Sequence, residues 1–496
     1  MSMSLLTWYR GIEMADIKSF EPELLWKHFD EIRKIPRCSK HEEKIRDYIR
    51  DFAVQRNLDW KEDSVGNIVI KKPASRGCEE APGVVLQQHV DMVCEKNSAT
   101  IHDFSKDPIQ LDIRDGWLYA KGTSLGADNG IGVACSLAVL DSSDIIHGSL
   151  EALFTVDEET GLTGAFALQP DFLEGRTLLN LDSEDEGVIY VGCAGGGDVR
   201  LSREYGVQDS EGEFFSLSVA GLKGGHSGID IYKGRANAVK LLARILLKIS
   251  EECELSLVSM SGGDKHNAIP REAEAVFAVQ CGLDIDKIVD NMKEDIIMEF
   301  GTVETGLDVE LSTSEGGRSI ALDNSKRFLA ILNNIPHGVA RMSPDIPGLV
   351  ETSNNLASAS LDNGYARIYC STRSSISGAL EALRRSIKSL GEIEGFTVEM
   401  RDSYPGWKPD MDSALLKVAN NVHTKCFGRE AEIKAVHAGL ETGIVGEKYP
   451  GMDMISIGPQ IEHPHSPEER VHIESCERFW VFLKSLMKEV AEEGEN

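Results

Sequence analysis

Apolar positions recur at helical spacing between Glu21 and Arg56: Leu24, Leu25, Phe29 and Ile32, then Ile45, Tyr48, Ile49 and Phe52. That period predicts two amphipathic helices. From Asn67 the texture changes to short β-branched runs bounded by turn residues: 67–70, 83–86, Leu150 to Val156 and Thr177 to Leu181. Ile131 to Leu140 reads as a buried helix between them. Strands alternating with helices predict an α/β layer with a mainly parallel sheet. A different region begins near Gly187. Phe214 to Val219 alternates like a half-exposed strand, and a helix follows from Arg235 to Cys253. A second set runs through Ala273–Gln280, Ile285–Met298 and Asp308–Ser312, and a third through Tyr365–Thr372 and Gly378–Leu390. Beyond Pro405 and Pro409 the pattern returns to helix (Ala414–Asn421), strand (Met454–Ile457) and a final amphipathic helix. The expected organisation is a catalytic α/β domain in two segments, 1–187 and 405–496, with a second α/β domain, 188–404, inserted between them.

Charge narrows the partners. Lys and Arg number 52 against 81 Asp and Glu, a formal charge of −29. Such a surface repels phosphate backbones and anionic lipid heads, so neither nucleic acid nor a membrane is an expected partner. The ten cysteines are scattered without a C-x-x-C pair, which reads as reduced thiols in a cytosolic protein. No apolar run approaches the roughly 20 residues of a membrane helix. The first twenty residues lack a charged leader region and a small-residue cleavage site, and Met14 is an alternative start. The expected location is the cytoplasm.

Chemistry concentrates where strands end. Val84 to Leu86 runs into Gln87-Gln88-His89-Val90-Asp91, and strand alternation turns His89 and Asp91 to the same side, where the carboxylate can fix the imidazole tautomer. Gly126-Ala127-Asp128-Asn129-Gly130 precedes the buried helix; alone, its acid reads as a helix cap. The glycines complete neither a dinucleotide fingerprint nor a phosphate loop. Leu153 to Val156 runs into Asp157-Glu158-Glu159, where one glutamate can bind a cation while its neighbour faces away as a free base. Leu178 to Leu181 ends in Asp182-Ser183-Glu184-Asp185. Last comes His463-Pro464-His465-Ser466-Pro467-Glu468-Glu469, in which Ser466 and Glu469 read as the capping box of the final helix. Two histidines and three carboxylates at the ends of strands suit a pair of divalent ions with one carboxylate bridging. Nitrogen and oxygen donors without thiolate fit zinc, and also manganese or cobalt. Two ions about 3.5–4 Å apart can activate a shared water and polarise a carbonyl.

The ordered set H-x-D, G-x-D-N-G, D-E-E-x-G, an Asp-ended strand and a late H-S-P resembles the di-zinc aminoacylase and carboxypeptidase-like metallopeptidases. Within them it looks most like the bacterial aminoacyl-histidine dipeptidases. Asn180 to Gly187, Gly192 to Gly196, Gly221 to Gly228 and His437 to Glu441 support the likeness, which runs from Glu21 to the C-terminal helix. The resemblance implies that His89 and Asp182 hold one metal, Glu159 and His465 the other, and Asp128 both, with a cis peptide after Asp128. It makes Asp91 the partner of His89 and Glu158 the general base for a metal-bridged hydroxide. It makes His226, on an inserted lid, the group that stabilises the oxyanion, and Arg373 the grip on the substrate carboxylate. Asn267, in N-A-I-P, is an expected substrate contact, and Glu441 an expected contact of the free amino terminus. His465 is preferred to His463 because it carries the H-S-P context. The implied reaction is hydrolysis of an unblocked dipeptide, of the Xaa-His type, by a homodimer joined through the lid.

Two rival readings remain open. An N-acyl amino acid deacylase or an aminotripeptidase would keep the metals and change the substrate. A catalytically silent protein that binds peptide or metal would be expected to lack the base or ligands, all of which are present.

Overall fold

The computed structural model describes residues 17–280 and 282–493, so the reading of the extreme N-terminus falls on residues outside those described. The chain forms two compact units. The first takes in the described residues up to Val191, then Asp410–Lys434 and the described residues from Ile444; the second is Gly192–Pro409 with Ala435–Gly443. The short return of 435–443 to the second unit is a crossing that the division of the sequence at 188 and 405 does not contain.

The first unit is built on an eight-stranded sheet. Its centre is four strands: β1 (Val84–His89), β2 (Leu150–Thr155), β3 (Thr177–Asn180) and β4 (Asp453–Ser456). β1 pairs in parallel with β2 and β3, and β4 in parallel with β3. All six residues of β1 and of β2 are buried, which is why these strands read as apolar runs without alternation. Asp59–Glu62, Ile68–Lys72 and Val188–Cys193 extend the sheet with antiparallel pairings. Register levels the central strands at one edge: His89 lies opposite Thr155, Gln87 opposite Asn180, and Asn180 opposite Ser456. The chain leaves all four strands on this side, in the loops where open α/β sheets bind ligands. Helix α1 (Ala127–Asp141) is buried almost throughout and packs against the amphipathic Glu23–Ile32 helix.

A second sheet of this unit was not legible in the sequence. Ile461–Glu462, Arg470–His472, Trp117–Ala120 and Leu111–Arg114 form four short antiparallel strands. It displaces the expected capping box: the final helix begins at Ile473, and Ser466 to Glu469 form a turn that enters the Arg470–His472 strand. The cysteine reading is corrected too. Cys38 and Cys94 form a disulfide with Cα atoms 5.7 Å apart, and Cys253 is also disulfide-bonded. A separation of 56 residues leaves no local signature for the first pair.

The second unit is organised around a nine-stranded sheet whose strand pairings, among the described residues, are antiparallel. Its core joins that sheet to four helices, of which Ala238–Glu252 buries Leu241, Leu242, Ile245, Leu246 and Ile249, a single apolar stripe. Asn237 caps this helix by accepting the amide of Lys240 at 3.3 Å. The long Val350–Asp362 strand, rich in Ser and Asn, escaped the sequence reading because half of its buried residues, Glu351 to Asn355, are polar.

Candidate metal centre

Each loop at the level edge of the first unit contributes a donor. β1 ends on His89, whose Nε2 lies 3.1 Å from Asp128 Oδ1 and 3.3 Å from Asp182 Oδ1. β2 leads through Asp157, held at φ 50°, into Glu158 and Glu159. β3 leads into Asp182, and the loop after β4 brings His465 Nε2 to 3.0 Å from both Asp128 Oδ2 and Glu159 Oε2. Two groups therefore form, His89–Asp128–Asp182 and Asp128–Glu159–His465. They share one carboxylate, with one oxygen toward each. His463 belongs to neither group.

Local sequence explains how Asp128 reaches the middle. Gly126 takes the left-handed conformation at φ 69°, and Asp128 is extended within the first turn of α1, followed by a cis peptide to Asn129. Asn129 donates to the Leu181 carbonyl at 3.0 Å and to Asp182 Oδ1. A Cβ at Gly132 would stand 2.8 Å from that same carbonyl, so glycine lets α1 seat against the strand end that carries Asp182.

Asp91 serves the site from beneath. One carboxylate oxygen lies 3.3 Å from His89 Nδ1 and accepts the Glu158 amide at 3.1 Å; the other accepts the Glu159 amide at 3.3 Å and the Ser39 hydroxyl at 2.8 Å. It thereby fixes the backbone of both glutamates and sets a carboxylate beside the imidazole. Glu158, the expected base, has a carboxylate oxygen within 4.8 Å of donor atoms of His89 and Glu159. Below the donors, Ser456, Asn180, Gln87 and Thr155, all fully buried, hydrogen-bond side chain to side chain across the four parallel strands.

The donor set fits divalent cations. Burial opposes a charge on His89, yet Asp182, Asp128 and Asp91 pull its pKa well above the ordinary value. His465 is pushed up to about 11 by hydrogen bonds to Asp128 and Glu159. Burial lifts Glu159 and Asp182, while the imidazoles, against burial, hold Asp128 far below the carboxylate range. Without a metal, the donor side chains themselves can supply positive charge only by protonating histidine. A divalent ion supplies it to neutral imidazoles. Glu159 Oε1 is buried with no hydrogen-bond partner, an acceptor left for such an ion.

The second unit assembles a different set. His226 Nδ1 accepts the amides of Gly228 at 3.2 Å and Ile229 at 3.1 Å, which leaves the ring proton on Nε2. Burial, followed by Arg373, lowers its pKa and keeps it neutral. A Cβ on Gly228 would lie 3.1 Å from His226 Cε1 and 3.3 Å from Arg373 Nε, so the two predicted residues converge around one glycine. Arg373 donates to the Tyr404 hydroxyl at 3.3 Å and has a buried Nε without a hydrogen-bond partner. Asn267 is adjacent, its carbonyl accepting the Ser227 amide at 2.8 Å. Glu441 is fully buried, and His437 nearby in the chain hydrogen-bonds Ser353 at 2.7 Å. Tyr404 and Ser353 were missed by the sequence reading, because hydroxyl residues in strands carry no spacing signal.

Comparison with known proteins agrees with this architecture. The chain is 42% identical to the cytosol non-specific dipeptidase of Escherichia coli (strain K12), over 96% of its own length and 99% of the relative's. It superposes on the crystal structure of aminoacylhistidine dipeptidase from Vibrio alginolyticus with a TM-score of 0.91 and 42% identity, covering 96% of this chain and 98% of that one. A tripeptidase from Staphylococcus aureus shares the fold at a TM-score of 0.55 and 17% identity, over 95% of this chain and 99% of that one. The profile of Peptidase family M20/M25/M40 matches residues 85–489, a span that contains every donor of the two groups. The chain belongs to that family and is a metallopeptidase.

Proposed function

We propose that this protein is a di-metal dipeptidase that hydrolyses unblocked dipeptides, with a preference for those ending in histidine. What carries the assignment is Asp128, whose two oxygens each face a separate histidine and carboxylate. His89 and Asp182 would hold one ion, Glu159 and His465 the other, and Asp128 both; the oxygen and nitrogen donors favour zinc and admit cobalt or manganese. When bound, the ions polarise the scissile carbonyl and acidify water. Glu158 takes the proton of the attacking water and delivers it to the leaving amine. Asp91 keeps the His89 tautomer fixed, and Glu159 and Asp182 remain ionised as ligands.

Substrate recognition is assigned to the second unit, acting as a lid. Arg373, with its unpartnered Nε, suits a terminal carboxylate, for which a planar guanidinium is the matching donor. His226 presents its Nε2 proton to the negative charge that develops on the substrate oxygen. Asn267 and Glu441 are assigned to the substrate backbone and its free amino group. The dipeptide class is supported by the two relatives at 42% identity, one named a cytosol non-specific dipeptidase and the other an aminoacylhistidine dipeptidase. A cytosolic location is drawn from the first relative's name, and a homodimer through the second unit is part of the same proposal.

Hydrolysis of alanyl-histidine by zinc-loaded protein, beside N-acetyl-alanine, a tripeptide and a chelator-treated control, is the test. Chelator-sensitive cleavage of the dipeptide alone is expected. Cleavage of the acetylated compound or of the tripeptide instead would move the protein to a deacylase or tripeptidase. Two bound metals with no cleavage of any of the three would remove the dipeptidase assignment.

A further inference from the structure

Asp128 stands in the first turn of α1 with none of the help a helix start normally receives, since Gly126 offers no side-chain cap. The amides of that turn still need acceptors. They find them in one residue distant in the sequence. Glu469, 1% exposed, accepts Leu125 at 2.7 Å and Gly126 at 2.9 Å on one carboxylate oxygen, and Ala127 at 2.7 Å and Asp128 at 3.2 Å on the other. Pairing of the Arg470–His472 strand with Trp117–Ala120 brings it there.

The same turn is gripped from its carbonyl side. Arg37, 2% exposed, donates through Nη2 to the Gly126 carbonyl, and through Nη1 to the carbonyls of Val90 at 3.0 Å and Asp91 at 2.8 Å. The peptide groups of Gly126 are thus held by a buried cation and a buried anion, and the cation also holds the loop that follows His89. A charge taken out of water is strongly destabilising unless paired and hydrogen-bonded, so two such groups fixed on backbone atoms form a stiff brace.

From this geometry we infer that Arg37 and Glu469 are positioning residues for the metal centre: together they set Asp128 against His89 and relieve Asp128 of capping its own helix, leaving both its oxygens to bind metal. The inference rests on the di-metal reading above. Neither residue touches a donor side chain through a hydrogen bond of its own; each acts through the backbone. Glu469 also lies four residues beyond His465, so one loop delivers a donor to the second group and the anchor of the shared carboxylate.

The test uses the full chain with Glu469→Gln, Glu469→Asp and Arg37→Met. Gln would turn an amide donor toward two backbone donors, and Asp is one methylene too short to span both amide pairs. For each folded variant, zinc dissociation constants are measured by competition with a chromophoric chelator. The visible spectrum of the cobalt form, the rise in Tm on adding zinc to metal-free protein, and kcat and KM are recorded alongside. Metal affinity should weaken about ten- to a hundredfold, the loss seen when groups behind metal ligands are removed. The cobalt spectrum should change, the zinc-induced rise in Tm should shrink, and kcat should fall with KM little altered. A purely structural brace would lower the Tm of the metal-free protein and leave metal affinity, spectrum and the zinc-induced rise as in the parent; that result overturns the inference. Should Glu469→Gln not fold, Glu469→Asp and Arg37→Met decide by the same readouts. A parent protein that binds no pair of metals would overturn both this inference and the di-metal reading.

Discussion

In the first unit, four parallel strands end level, the first on His89 itself and the others leading into loops that hold the Glu158–Glu159 pair, Asp182 or His465. In the second, His226 occupies a glycine-rich turn and Arg373 the end of a strand in an antiparallel sheet, paired with Ser353 and Gly196. The first arrangement collects carboxylates and imidazoles, a donor set that fits divalent cations. The second collects donors, a neutral imidazole proton and a guanidinium, suited to an anion. Parallel strands deliver their loops to one edge, whereas antiparallel strands alternate ends. A cluster in the second unit therefore has to be built from turns and strand residues close to one another.

The comparison breaks first at Glu158. Glu158→Gln should retain both metals by elemental analysis and lose about 10²–10⁴-fold in kcat, because the proton acceptor is gone while the ligands remain. Activity near that of the parent would remove Glu158 from its role. Next, Asp128→Ala should abolish binding of both ions, whereas His465→Ala should leave one; equal stoichiometry in the two variants would deny that Asp128 is shared. In the second unit, Arg373→Lys should keep full metal content and lower kcat/KM about ten- to a hundredfold, since an ammonium cannot reproduce the guanidinium fork. If metal is lost instead, the division of labour between the units is wrong.

A separate expectation, of a different kind, concerns stability with pH. Burial depresses His28 in the first unit to about 4 and His437 in the second to about 3, against an ordinary 6.5. Between about pH 6.5 and pH 4 these two histidines bind protons in the unfolded chain and not in the folded one, so their contribution to stability falls as pH falls. The slope is up to roughly 1.4 kcal/mol per pH unit for each histidine. Urea unfolding across that range measures it, and His28→Gln or His437→Gln should flatten the profile by one group each.

The donors were legible because their signal is local. A strand that is buried on both faces is rich in apolar residues, and an acid or histidine at its end or just beyond it stands out, as at His89, Glu158, Glu159 and Asp182. The central elements of the sheet followed from the same runs within a few residues. His226, Arg373, Asn267 and Glu441 had no such signal and were marked only by resemblance to a family. The short strands Ile461–Glu462 and Arg470–His472 were hidden by their length, and the turn between them imitated a capping box through Ser466 and Glu469.

By itself, then, the sequence determined the alternation of elements and the acid and histidine residues that gather at the strand ends, a nitrogen and oxygen set of the kind a metallopeptidase needs. Only the tertiary structure decided that Asp128 divides its oxygens between His89 and His465, that Asp91 carries the backbone of both glutamates, and that Cys38 meets Cys94. It alone brought Glu469 to the amides of residues 125–128, across more than three hundred positions of chain. Backbone amides are the same at every position and leave no trace in composition or period. Which carboxylate they receive is settled by strand pairing far away in the sequence.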